Sequence, residues 1–203
     1  MKLYYSPGAC SLSPHITLAE AGLPYTIEKV DLKAKKTETG ADFFAINPTG
    51  YVPALVLDNG EMLSEGPAIV QYLADLVPAK KLAPPAGSFE RVRLQEVLNY
   101  ISTELHKSFS PLFNPAAPED WKTFMRGQIV RRLEPMEKRL AKADYLMGDF
   151  TVADAYLFTI LGWTRLVAID LKDNAVLTAY IARVKARPAV QQAMKEEGLI
   201  KPA

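Results

Sequence analysis

Three prolines and a glycine within VPAKKLAPPAG (77–87) fix φ and remove backbone donors, so neither a helix nor a strand runs through them. The patterning on either side of this segment differs. Before it, short apolar runs alternate with helical stretches. KLYY (2–5) reads as a strand, broken by Pro7 and Gly8. Ser11–Ala21 reads as a helix closed by Gly22, a residue suited to a left-handed cap. Tyr25–Leu32 reads as a second strand, and the polar run KAKKTETGAD leads to a short irregular helix around Phe43 and Phe44. Asp58-Asn59-Gly60 between apolar runs is a hairpin signal, and a helix starting at Ser64 accommodates Pro67 in its first turn. The expected order is β-α-β-α-β-β-α, with the last two strands antiparallel and a cis bond at Val52-Pro53.

After the proline-rich segment the apolar period becomes that of helices. Leu94, Val97, Leu98, Ile101 and Leu105 mark one helix over 88–107. A second covers about 119–141, a third begins at Thr151, and two more lie in about 173–196. The fold class is therefore an α/β N-terminal domain (1–77), a linker (78–87) and an all-helical C-terminal domain (88–203). In FTVADAYLF, Thr151 and Asp154 have the spacing of a capping box. The nearly all-apolar helix that follows is expected to be buried, so Asp154 reads as structural.

Charge is balanced, 24 basic against 23 acidic residues, with no basic stripe. Nothing electrostatic suggests a nucleic-acid or membrane partner. No apolar run approaches the length of a spanning helix or a signal peptide. A lone cysteine excludes an internal disulfide framework. The expectation is a soluble cytoplasmic protein whose thiol stays reduced.

That lone cysteine, Cys10, lies between a strand and a helix start. Unpaired helix N–H groups there favour an anion and lower a thiol pKa. Cys10-Ser11-Leu12-Ser13 is C-x-x-S with no resolving cysteine, so any disulfide made by Cys10 is with an outside thiol. Val52-Pro53 precedes a strand. A structural turn and a backbone clamp for a peptide-like ligand both fit it. Glu65 reads either as a first-turn carboxylate or as half of a cradle for an amino-acid headgroup, its carboxylate on the ammonium and the helix N–H groups on the carboxylate. His106 lies seven residues after Asn99 in the helix 88–107, so both project from one face, and His106 reads either as a site residue or as a satisfied structural histidine. His15 reads as a packing or capping residue.

Four segments carry a resemblance: YYSPGACSLSPH, NPTGYVPALVLDNGEMLSEGPAIVQYLAD, LNYISTELHKSFSPLF and YLMGDFTVADAYLF. Together they resemble the bacterial beta-class glutathione transferases, over essentially the whole chain. The resemblance implies a thioredoxin-like N-terminal domain that binds glutathione as cosubstrate. It implies a helical domain that supplies much of the pocket for a hydrophobic electrophile, and a cytosolic homodimer acting in detoxification, with no metal.

The resemblance also implies residue roles. Cys10 looks like the cysteine that contacts the glutathione sulfur, and Ser11 like the adjacent hydroxyl. Lys35 matches a basic residue near the glycyl end. Val52, followed by Pro53, resembles the backbone clamp on the cysteinyl moiety, and Glu65 with Gly66 the helix start that holds the γ-glutamyl headgroup. Asn99 looks like a residue reaching the ligand from the partner subunit, and His106 like the histidine facing the cysteine sulfur. Position 66 is glycine where some relatives carry serine, which removes a hydroxyl contact and keeps the backbone N–H. The implied activity is conjugation of glutathione to electrophiles. Two alternatives are glutathione-dependent thiol-disulfide exchange or peroxide reduction through a Cys10 mixed disulfide, and a noncatalytic carrier of hydrophobic ligands.

Overall fold

The computed structural model describes residues 1–201; residues 202–203, the end of the expected helical half, lie outside the described residues. The first half runs β1 (Lys2–Tyr5), α1 (Leu12–Ala21), β2 (Thr26–Asp31), β3 (Lys36–Thr37), α2 (Phe43–Ile46), β4 (Ala54–Val56), β5 (Met62–Leu63) and α3 (Gly66–Asp75). The sheet order is β3-β2-β1-β4-β5. β1 pairs parallel with β2 and antiparallel with β4, and β4 pairs antiparallel with β5. The expected order holds, with one addition. β3 was not expected, because its two residues sit in a wholly polar run. It exists because Asp31 turns the chain: its Oδ1 accepts from the N–H groups of Lys33 (2.8 Å) and Ala34 (2.9 Å), and Lys36–Thr37 then pairs back on Val30–Asp31.

Alternation along β1 and β4 builds two cores. Leu3 and Leu55 point to one face, where they pack with Leu18, Ile69 and Leu73. Tyr4 and Ala54 point to the other and pack with Val30, Phe43 and Val52. α1 ends as expected at Gly22, at φ 68°. The Gly22 N–H donates to Leu18 and Ala19 carbonyls and the Leu23 N–H to Leu18, which satisfies the last turn. At α3 the expected Ser64 cap gives way to Glu65, whose backbone takes φ 65°, ψ 106°.

The chain forms two compact units. One holds Met1–Ala83 and the C-terminal segment from Ala186, and the other holds Pro84–Lys185. The terminal helix α9 (Pro188–Glu196), placed by the sequence pattern in the helical half, thus packs in the sheet unit. Polar contacts with α1 account for this. Arg187 grips Glu20 with Nε and Nη2, at 2.6 and 2.9 Å. His15, fully buried, meets Glu197 through Nδ1 (2.9 Å) and Glu196 through Nε2 (2.7 Å). The second Glu197 oxygen accepts the Gly8 N–H at 2.8 Å. A buried carboxylate needs such partners to offset its lost hydration.

The second unit contains α4 (Phe89–Tyr100), α5 (Ser110–Phe113), α6 (Glu119–Leu140), α7 (Val152–Gly162) and α8 (Ala175–Lys185). The five apolar residues expected to face a core along 88–107 are all buried. The helix is not continuous, however. α4 passes into a π-helical segment, Ile101–Leu105, and then a 3₁₀ turn, His106–Phe109. Side chains compete there for backbone carbonyls: Thr103 Oγ1 donates to Asn99 O (3.0 Å), while Ser108 Oγ (2.6 Å) and Arg132 Nη1 (3.2 Å) donate to Glu104 O. In α7 the Thr151–Asp154 capping box forms. The fully buried Asp154 carboxylate accepts from the N–H groups of Thr151 and Leu146, each at 2.9 Å, and from Tyr180 Oη at 3.1 Å. Asp154 is structural, as its spacing suggested.

One surface of the sheet depends on pH. Burial of Glu28 disfavours its ionised form, but hydrogen bonds from Thr39, Lys2 and Thr37 and the Lys2 charge outweigh that, and hold its carboxyl at about 2. A depressed folded pKa adds stability above the ordinary value of 4.5 and loses it as pH falls toward about 2. Denaturation midpoints of wild type and Glu28→Gln, measured from neutral pH downward, will therefore converge across that window. A gap that stays constant would falsify this account.

Candidate functional site

Sheet direction gathers the site. β1 and β2 run parallel, so the loops after Tyr5 and Asp31 leave the same end of the sheet. β4 runs against β1 with Ala54 opposite Tyr4, so the residues entering β4 arrive at that end. β5 runs against β4, so the turn into α3 leaves there too. Cys10, Lys35, Val52-Pro53 and Glu65-Gly66 sit in these four loops. This end, beyond the carboxyl ends of the parallel strands, is where open α/β sheets bind ligands.

The Val52-Pro53 bond is cis, as expected. Cys10 Sγ, half-buried, donates to the Val52 carbonyl at 3.1 Å. A Cβ placed on Gly66 would stand 4.0 Å from Pro53 Cγ, so the start of α3 lies beside the cis-proline. Pro67 has no N–H, and the N–H groups of Ala68 and Ile69 both return to the Glu65 carbonyl at 3.0 Å. The first turn therefore presents the Gly66 N–H. Glu65 holds a positive φ, rare for a residue with a Cβ and costing about 1–3 kcal/mol. Its carboxylate is exposed. Lys35, also at positive φ, sends Nζ to the Gly50 carbonyl (2.7 Å) and over the Tyr51 ring (4.9 Å). It thus braces the loop that ends in Val52.

One expectation changes. Burial pushes the Cys10 thiol up to about 12. The backbone N–H groups of Cys10 and Ser11 favour the thiolate but recover only part of this, and the carboxylates of Glu65 and Glu197 add to the rise. The helix start does not make Cys10 a thiolate: the thiol is neutral and acts as a donor. Ser11 is fully buried. Its hydroxyl donates to Ser6 O (3.3 Å) and accepts the Ser6 N–H (3.2 Å), so it holds the turn before Cys10.

The other two predicted residues belong to the helical unit. Asn99 is exposed near the end of α4. The π-helical segment separates it from His106, so the α-helical count that put both on one face does not apply. His106 is half-buried, with Nδ1 2.6 Å from Tyr156 Oη. Its ring stands edge-on to Trp163, with centroids 4.9 Å apart. Burial, then the Lys107 charge, lowers its pKa to about 4, so the imidazole is neutral at physiological pH.

Sequence reasoning missed Tyr156 and Trp163 as partners of His106, and Glu197 as the residue that ties down Gly8. Each pair is separated by scores of residues, and no local spacing reports such a contact. Among the described residues, no group of three metal-type side chains is arranged to hold an ion, and no helix is long and apolar enough to cross a membrane.

The comparisons with known proteins agree with this geometry. Residues 8–76 match the glutathione S-transferase N-terminal domain model, and residues 119–191 the C-terminal domain model. The glutathione S-transferase GstA of Escherichia coli O157:H7 is 49% identical over 200 residues, covering 98% of this chain and 100% of that protein. A sphingomonad glutathione S-transferase solved in complex with glutathione superposes with a TM-score of 0.95 at 48% identity, and covers 98% of this chain and 100% of its own. The bacterial beta-class enzyme of Sphingomonas chungbukensis does so at 0.95 and 46%, with the same coverage. The chain belongs to the glutathione S-transferase family, in its bacterial beta class.

The neutral thiol can be checked directly. With a pKa of about 12, alkylation of Cys10 by iodoacetamide in the ligand-free protein should rise about tenfold per pH unit through the mild alkaline range, because only thiolate reacts. A rate that levels off near the ordinary thiol pKa of about 8.5 overturns the assignment of Cys10 as a donor.

Proposed function

We infer that the protein joins the thiol of glutathione, its cosubstrate, to electrophilic and largely hydrophobic compounds. The observation that carries this reading is the contact of the Cys10 thiol with the Val52 carbonyl, beside the cis-proline and the Gly66 amide. An extended peptide-like ligand can lie against Val52, exchanging backbone hydrogen bonds as a strand does. Its cysteinyl N–H then takes the Val52 carbonyl, and the Cys10 S–H is released toward the ligand sulfur. A neutral donor at that point favours the glutathione thiolate. The thiolate attacks the electrophilic carbon and a C–S bond forms. The leaving group departs with its electron pair, and the proton lost by glutathione passes to solvent. Cys10 keeps its own proton throughout.

In this reading Glu65 pairs with the γ-glutamyl ammonium and the Gly66 N–H meets the adjoining carboxylate. Lys35 serves the glycyl end and braces the Val52 loop, and Pro53 sets its shape. Ser11 acts through the turn it holds. The resemblance gives Asn99 a contact from the neighbouring subunit of a homodimer and gives His106 the thiol. A cytoplasmic location, where a reducing milieu keeps the lone cysteine free, belongs to the same reading. Exchange through a Cys10 mixed disulfide is disfavoured, because it needs the thiolate that burial suppresses.

Two experiments test this. Calorimetry should show Glu65→Gln binding glutathione about tenfold more weakly, near 1.4 kcal/mol, while Cys10→Ala loses turnover with an aromatic electrophile more than it loses affinity. Unchanged affinity in Glu65→Gln rejects the headgroup assignment. Sedimentation at micromolar concentration should give about twice 22.4 kDa, and a fully active monomer rejects both the dimer and the role of Asn99.

A further inference from the structure

The His106–Tyr156 contact has a consequence for proton chemistry. The two groups meet at 2.6 Å through Nδ1 and Oη, and each can donate or accept. Phenol is the more acidic partner and an unprotonated imidazole nitrogen the more basic, so the O–H···N arrangement is the stronger of the two. Tyr156 is buried on helix α7, which is buried from Val152 to Leu161 and whose start is locked by Asp154. The ring of His106 has little freedom to turn away. It stands edge-on to Tyr156 (5.8 Å, 85°) and to Trp163 (4.9 Å, 70°). The bond made by one ring nitrogen decides which tautomer is present.

We propose that Tyr156 is a positioning residue: its hydroxyl donates to His106 Nδ1, leaves the imidazole proton on Nε2, and makes His106 a hydrogen-bond donor rather than a proton acceptor in glutathione transfer. The π-helical segment just before His106 gives the ring its register against Tyr156. The low His106 pKa agrees with the neutral form this arrangement requires. No proton changes hands in this step. The Nε2–H is then a neutral donor.

The proposal rests on reading His106 as a residue of the transfer site, and the test separates the two. Nitrogen-15 NMR of the full-length protein at neutral pH should show His106 protonated at Nε2 and bare at Nδ1. In Tyr156→Phe, which keeps the ring and the packing, the two tautomers should mix. Turnover of that variant should fall about tenfold, with KM for glutathione unchanged. His106→Gln retains an amide donor near the Nε2 position without basicity, so it should keep most of the turnover that His106→Ala loses. A wild-type spectrum protonated at Nδ1, or a Tyr156→Phe spectrum unchanged from wild type, overturns the positioning role. Equal losses in His106→Gln and His106→Ala overturn the donor role. Full activity in His106→Ala rejects the reading of His106 itself, whatever the spectrum of Tyr156→Phe shows.

Discussion

The reversal of β4 against β1 is the constraint on which the site depends. Pairing Ala54 with Tyr4 sends the chain into β4 at the end where β1 has just left the sheet. This brings Val52 to Cys10 across 42 residues of sequence. A parallel β4 would place Val52 at the opposite end, where neither Cys10 nor Lys35 lies. The register is held by burial on both faces, because a one-residue slip would exchange Leu55 with Ala54 and disrupt both cores. Packing energy in the sheet thus sets a distance between a thiol and a carbonyl that have no packing role of their own.

Polar contacts hold the loops at this end, in addition to the burial of Val52. Ser11 closes the turn after β1, and the Gly8 amide is bound to a carboxylate from the C-terminal segment. Lys35 holds the Gly50 carbonyl. Asn47 Nδ2 donates to the Tyr51 carbonyl at 2.7 Å. Each bond contributes only about 1 kcal/mol net. Together they leave the Val52 and Gly66 backbone groups oriented before a ligand arrives, which lowers the ordering cost of binding. The strained backbone of Glu65 fits the same pattern, since such strain persists only where surrounding structure over-determines it.

Electrostatics at the thiol reverse a rule of thumb. Helix starts lower cysteine pKa values when the sulfur is solvated or meets a cation. Here burial and two nearby carboxylates prevail over two backbone N–H groups. The result suits a reaction in which the nucleophile is brought in by the cosubstrate and the protein supplies donors. A protein thiolate at this position would repel the thiolate it is meant to stabilise.

The amino-acid sequence by itself determined the local elements. Turn residues and periodicity marked β1, α1, the Asp58–Gly60 hairpin, the Thr151–Asp154 cap and the buried α7, because each rests on contacts a few residues apart. The same local logic picked out Cys10, Val52 and Glu65 as chemically unusual positions. Tertiary structure alone decided the rest. The two-residue strand β3 exists only because Val30–Asp31 waits beside it. Helical periodicity gave no sign of the π-helical segment, which long-range and side-chain claims on carbonyls accompany. The charge state of Cys10 depends on burial and on carboxylates at positions 65 and 197. The packing of α9 in the sheet unit depends on His15 and Glu20, more than 160 residues away. Backbone preference is written in neighbouring residues, whereas desolvation and long-range pairing depend on what the folded chain brings alongside.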